Sequence, residues 1–115
     1  MDIEFYKTET GNIPVQEFLD SLDIPMRQKM LRSIKALQDM GISLRMPYSE
    51  ALGDGMFELR AQAGSNISRV FYFFFFGNKA VLTHGFIKKT QKIPPRELER
   101  AKEMRRKYLT LHKGR

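Results

Sequence analysis

The chain contains no cysteine. That excludes a disulfide framework, a thiol nucleophile and a thiolate zinc site together. Only two histidines are present, His84 and His112, far apart and in different predicted elements, so no metal site is expected and no cofactor is implied. Apolar runs are short, far below the roughly 20 residues that a membrane helix needs. Met1–Lys7 carries Asp2 and Glu4 early, unlike the charged-then-apolar start of a signal peptide. The composition reads as a soluble, cytoplasmic chain with no membrane partner. Its 115 residues are read as one domain, 1–115, able to build a core without staples.

Charge is unevenly placed. From Lys88 to Arg115 eleven Lys/Arg stand against three Glu, a balance of +8, while the rest holds nine basic and ten acidic residues. The positive field is built by the last quarter of the chain. That is the footprint of a polyanion contact, nucleic acid above all, and equally that of a solvated helix face.

The centre of the chain is Ser68–Lys92, SRVFYFFFFGNKAVLTHGFIKKTQK. Two runs of β-branched and aromatic residues, Val70–Phe76 and Ala80–Ile87, flank Gly77-Asn78 and predict an antiparallel hairpin. Because the first run is continuous rather than alternating, its strand should be covered on both faces. Ile3–Tyr6 predicts a short first strand. Asn12 is placed as a helix cap before Pro14, with Val15, Phe18, Leu19 and Leu22 on one face. Asp23-Ile24-Pro25 starts a second helix with Met26, Met30, Ile34, Leu37 and Met40 at helical spacing, and Gly41 ends it.

After a loop with a short edge strand near Tyr48–Leu52, Met56–Ala61 alternates like a half-buried strand. Pro94-Pro95 opens a final helix whose stripe is Leu98, Ala101, Met104, Tyr108 and Leu111. Arg96, Arg100, Arg106, Lys107 and Lys113 fall opposite. The sum is an α+β fold: a strand, a helix hairpin, three or four antiparallel strands and a basic C-terminal helix.

Arg60 and Arg69 lie near facing ends of two strands joined by Gly64-Ser65-Asn66, so both guanidinium groups can share one sheet face. Thr83, His84, Lys88, Lys89 and Thr90 follow on the next strand. Such a cation cluster suits a phosphate, which arginine holds with two parallel donors. The plainer readings are an Arg60 pair with Glu58 or Asp54, a core role for His84, and a basic loop at Lys88–Lys92.

GMFELR, SRVFYFF and LTHGFIKKTQKIPPRELERAKEMRRKY together resemble the RelE/HigB superfamily of bacterial toxins, in its phage-derived HigB-like branch. The resemblance runs over nearly the whole chain. It implies a RelE-like fold and a type II toxin–antitoxin toxin that enters the ribosomal A site and cuts mRNA. Its partners would be the ribosome, mRNA and a cognate antitoxin from an adjacent gene, often one with a helix-turn-helix domain. Position by position, Arg69 matches the family arginine that contacts the scissile phosphate, and Arg60 matches that of the preceding FELR-type strand. Lys88 and Lys89 occupy the basic segment where relatives bind or activate the phosphate, and His84 falls in the HGF element. Thr90, Lys92, Arg96 and Arg100 are the matching RNA-binding candidates. Some relatives carry a C-terminal tyrosine or histidine as base or stacking group; Tyr108 and His112 are present, and the base remains open.

Without cysteine or metal, cleavage would use the ribose 2′-hydroxyl, with Arg69 and Arg60 around the phosphate. Lys88 or Lys89, crowded by other cations, would act as base, with His84 as the second candidate. Two other functions share this pattern: a ParE-like inhibitor of DNA gyrase, and a non-catalytic protein that binds nucleic acid or an antitoxin.

Overall fold

In a computed structural model, which describes residues 1–76, 78–88 and 92–113, the two apolar runs form the longest strands. The first strand, β1, is Asp2–Phe5; helices α1 and α2 span Pro14–Ser21 and Ile24–Met40, and a 3-10 turn follows at Gly41–Ser43. Strands β2 (Ser49–Gly53), β3 (Met56–Ala63), β4 (Asn66–Phe75) and β5 (Lys79–Lys88) come next, and α3 spans Pro95–Leu111. The strands form one five-stranded sheet in the order β1-β5-β4-β3-β2. The four later strands pair antiparallel, as the hairpin spacing requires, whereas β1 lies parallel to β5. A first strand can reach that edge only by a crossover, which α1 and α2 provide by covering one sheet face.

Both faces are covered, which explains the unbroken apolar run. On one side Val15, Leu19, Met26, Met30 and Leu37 pack against Leu59, Val70, Tyr72 and Leu82. On the other, Ala101, Met104 and Tyr108 of α3 pack against Met56, Phe71, Phe73 and Val81. Alternate residues of β4 therefore serve two cores. Coverage ends before the strand does: Phe74 and Phe75 are half-buried, and Phe76 is exposed.

Several local details depart from the expected pattern. Asn12 does not cap α1; Ile13 holds the cap position without a side-chain bond. The Asn12 backbone instead closes a loop with Thr8, giving its carbonyl to the Thr8 amide and its amide to Thr8 Oγ1. Asp23 does cap α2, accepting from the Met26 amide at 2.9 Å. Rather than packing chiefly on each other, α1 lies mainly on β5 and α2 on β3. Met40 and Leu111, placed by spacing in the apolar stripes, are exposed as the last residues of their helices. At the β2–β3 turn, Asp54 and Gly55 have φ of 53° and 78°, the left-handed pair that a tight two-residue hairpin requires. Among the described residues, no helix is long and apolar enough to cross a membrane.

Gly85 sits where α1 meets β5. A Cβ there would lie 2.3 Å from Phe18 Cδ2, so the ring occupies the space a side chain would need. Gly85→Ala should therefore lower stability by about 1–3 kcal/mol in denaturant titration. Adding Phe18→Ala to that variant should cost less than the sum of the two single changes.

Candidate functional site

The end of β3 and β4 carries four charges in a chain. Arg60 stands directly opposite Arg69, and Glu50 of β2 opposite Glu58. By alternation from Met56, Phe71 and Phe73, the side chains of Glu58, Arg60 and Arg69 share the side on which α3 packs. Glu58 lies between the two arginines. Its carboxylate accepts from Arg60 Nε at 2.5 Å, and its other oxygen is 3.6 Å from Arg69 Nη1. Arg60 also donates to Glu50 at 2.8 Å. The chain of charges runs inward: Glu50 is exposed, Arg60 retains slight exposure, and Glu58 and Arg69 have none.

The two arginines thus share a face and flank an anion, but that anion is a carboxylate of the protein. The plainer reading of Arg60, a pair with Glu58, is what the structure contains. Sequence reasoning missed that Glu58 is buried. In MFELRA it alternates with Phe57 and Leu59 and so looks like the solvent side of a half-buried strand. The signal that would have found it is charge parity, since Glu58 and Arg60 fall on the same face and Arg69 is directed there by the hairpin.

His84 is equally enclosed. Val70 pairs with Gly85 and Tyr72 with Leu82, so Thr83 and His84 together face Phe71 across a bulge. Thr83 Oγ1 donates to the Phe71 carbonyl at 3.1 Å. His84 packs edge-on against the Phe71 ring, and its Nε2 meets Glu97 Oε1 of α3 at 3.2 Å. Burial, with the Arg100 guanidinium nearby, pushes His84 below its ordinary value against the pull of Glu97. The neutral ring is then best satisfied with its proton on Nε2, donated to Glu97, and a bare lone pair at the buried Nδ1. This is a core histidine tying β5 to α3.

Lys88 ends β5 opposite Ile67 and is exposed. Lys89 and Thr90 lie outside the described residues. Lys92, Arg96 and Arg100 are exposed along the approach to α3 and its first turns. Among the described residues, Lys88, Lys92, Arg96, Arg100, Lys107 and Lys113 form no ion pair. Farther along α3, Lys102 is matched with Asp54 and Glu99 and Arg106 with Glu103, while Arg105 forms no ion pair among the described residues and lies over the Phe73 ring. From Lys88 to Arg100 the described cations are thus all exposed and all without an ion pair among the described residues.

Tyr108 and His112 sit elsewhere. Tyr108 donates to Glu4 of β1, stacks on His112 at 3.9 Å and meets Phe75 edge-on. Phe75 is six positions along β4 from Arg69, on the order of 20 Å away. Neither ring reaches the arginine pair. Among the described residues, no group of three His, Asp or Glu is placed to hold a metal ion.

A family model described as Phage derived protein Gp49-like (DUF891) matches residues 17–106. The chain belongs to that family. The Gp49-like match runs from within α1 into α3 and includes Glu58, Arg60, Arg69, His84 and Lys88. The Gp49-like family is associated with the toxins of toxin–antitoxin systems. No match was found among curated proteins.

Two outcomes test this geometry. Glu58→Ala takes away the carboxylate that balances a buried guanidinium, and should cost about 3–5 kcal/mol in chemical denaturation. Adding Arg69→Met should recover much of that loss. For His84, the unfolded chain takes up a proton near its ordinary value of 6.5, while the folded chain resists until lower pH. Stability should be full above that value and fall as pH drops toward 5, with a shallower fall in His84→Gln.

Proposed function

We propose that this Gp49-like chain is the toxin of a type II toxin–antitoxin system, a ribosome-dependent mRNA endoribonuclease of the RelE/HigB kind. The observation that carries the reading is the run of exposed cations from Lys88 to Arg100, which starts on β5 two positions from Phe86, the residue opposite Arg69. Lys88, Lys92, Arg96 and Arg100 are exposed and without ion-pair partners among the described residues. Such a rim raises the local concentration of a polyanion and would make binding weaken steeply with salt. The match to a toxin-associated family supports the same reading.

In this mechanism the 2′-hydroxyl oxygen attacks the adjacent phosphorus and the bond to the 5′-oxygen breaks. The products are a 2′,3′-cyclic phosphate and a 5′-hydroxyl. One group removes the 2′ proton and another protonates the leaving oxygen. Arg60, the member of the pair that solvent reaches, contacts the phosphate, and buried Arg69 supplies charge from behind it. Lys88 is the exposed proton carrier at the rim. His84, enclosed between Phe71 and Glu97, holds α3 in place instead of touching substrate. A cognate antitoxin, encoded next door, would neutralise the toxin.

The test is cleavage of a defined mRNA in a purified translation system. Wild type should cut within A-site codons only when ribosomes are present. Arg60→Ala should slow cutting by about 10²–10³-fold, and Arg69→Lys should retain the fold while losing most of the rate. A single 2′-deoxy substitution at the cut site should abolish cutting there. No cutting by folded, antitoxin-free protein would overturn this reading in favour of gyrase inhibition or a non-catalytic binding role.

A further inference from the structure

On the far side of the arginine pair, β3 outruns β2. Pairing between them starts at Ser49 and Leu59, so Arg60–Ala63 have no strand beyond them on that edge. A groove of about 790 Å³ opens there, between α2, the Met46-Pro47-Tyr48 segment and the edge of β3. Its floor is small, made by Ser33, Ala36 and Ala61, while Met40, Met46 and Tyr48 offer exposed apolar surface around it.

The groove carries unbalanced positive charge. Lys29, Arg32 and Arg60 line it against Asp39, and Asp39 is already neutralised by Lys35 at 2.9 Å. Arg60 is matched by Glu58 and Glu50. Among the described residues, Lys29 and Arg32 form no ion pair, so the surplus is theirs. An anion with a flat apolar part fits this arrangement.

The backbone separates two possible occupants. A peptide adding a strand here would need the outward groups of β3. Of the four at Arg60 and Gln62, three are engaged: Ser33 Oγ donates to the Arg60 carbonyl at 2.7 Å, Lys29 Nζ donates to the Gln62 carbonyl at 3.0 Å, and the Arg60 amide donates to the Tyr48 carbonyl at 2.8 Å. A nucleobase needs none of them. It needs an aromatic face, here Tyr48 with thioethers beside it, and cations for its phosphate.

We propose that this groove is a nucleotide subsite for single-stranded RNA, with one base against Tyr48 and Met46 and its phosphate held by Arg32 and Lys29. The proposal deepens the ribonuclease reading and rests on it. Arg60 lines the groove and also belongs to the arginine pair, so a strand occupying both would hold one nucleotide beside the scissile bond. The subsite would then read a position of the message next to the cut.

The experiment is an amide chemical-shift titration of the full chain with a 2′-O-methyl RNA hexamer, which cannot be cut through a 2′-hydroxyl. Shifts should appear at Met46, Tyr48, Arg60 and Gln62. Tyr48→Ala, at an exposed position, should weaken binding about tenfold. Arg32→Ala should weaken it less at high salt than at low salt. Shifts confined to Lys88 and the start of α3, or equal groove shifts with poly-glutamate, would overturn the subsite. Groove binding in a chain that fails to cut mRNA on ribosomes would keep the subsite and overturn the ribonuclease reading.

Discussion

A buried carboxylate held between two guanidinium groups is the constraint on which this fold turns. Glu58 and Arg69 have no solvent exposure, and a charge so placed is tolerable only with its counter-charge in register. Slipping β3 against β4 by one residue would drive those charges into the core built on Leu59 and Val70. The pair thus specifies strand register, while Arg60 and Glu50 carry the same alternation of charge outward across the sheet edge. Hydrophobic burial supplies most of the stability, and the ion chain selects which pairing receives it.

That constraint also separates the two faces in function. The side under α1 and α2 is nearly all apolar across β4 and β5, and a glycine accommodates Phe18 where they touch. The α3 side mixes aromatic packing with the buried charges of Glu58 and Arg69 and the neutral ring of His84. Buried polarity costs stability unless each group is matched, and here the matching partners come from three different elements. Any ligand that engages Arg60 therefore competes with Glu50 and Glu58 for the same donors.

Much of this was legible in the chain. The central hairpin, both leading helices, the edge strand before Met56 and the basic last helix follow from period, turn residues and caps. The parallel placement of β1 was not legible, because a four-residue strand carries no signal of its partner. Nor was the cap at Ile13, where Asn12 is drawn off by Thr8. At the site, the shared face of Arg60 and Arg69 was readable from the hairpin. The burial of Glu58 was not, since alternation reports which face a residue takes but not whether something covers that face. His84 was legible as a choice between core and chemistry; its enclosure and its contact with Glu97 are visible only in the structure.

The placement of β1 has a temporal side. Asp2–Phe5 pair with Lys79–Leu82, so β1 must wait for β5. During synthesis, β1, α1 and α2 leave the ribosome with their apolar faces unmatched, and the β2–β5 meander completes before β1 can dock. Tyr108 of α3 also donates to Glu4 of that strand, so the final helix and the first strand support each other. The basic rim, carried by the end of β5 and by α3, is therefore in place only after β1, β5 and α3 have all been made.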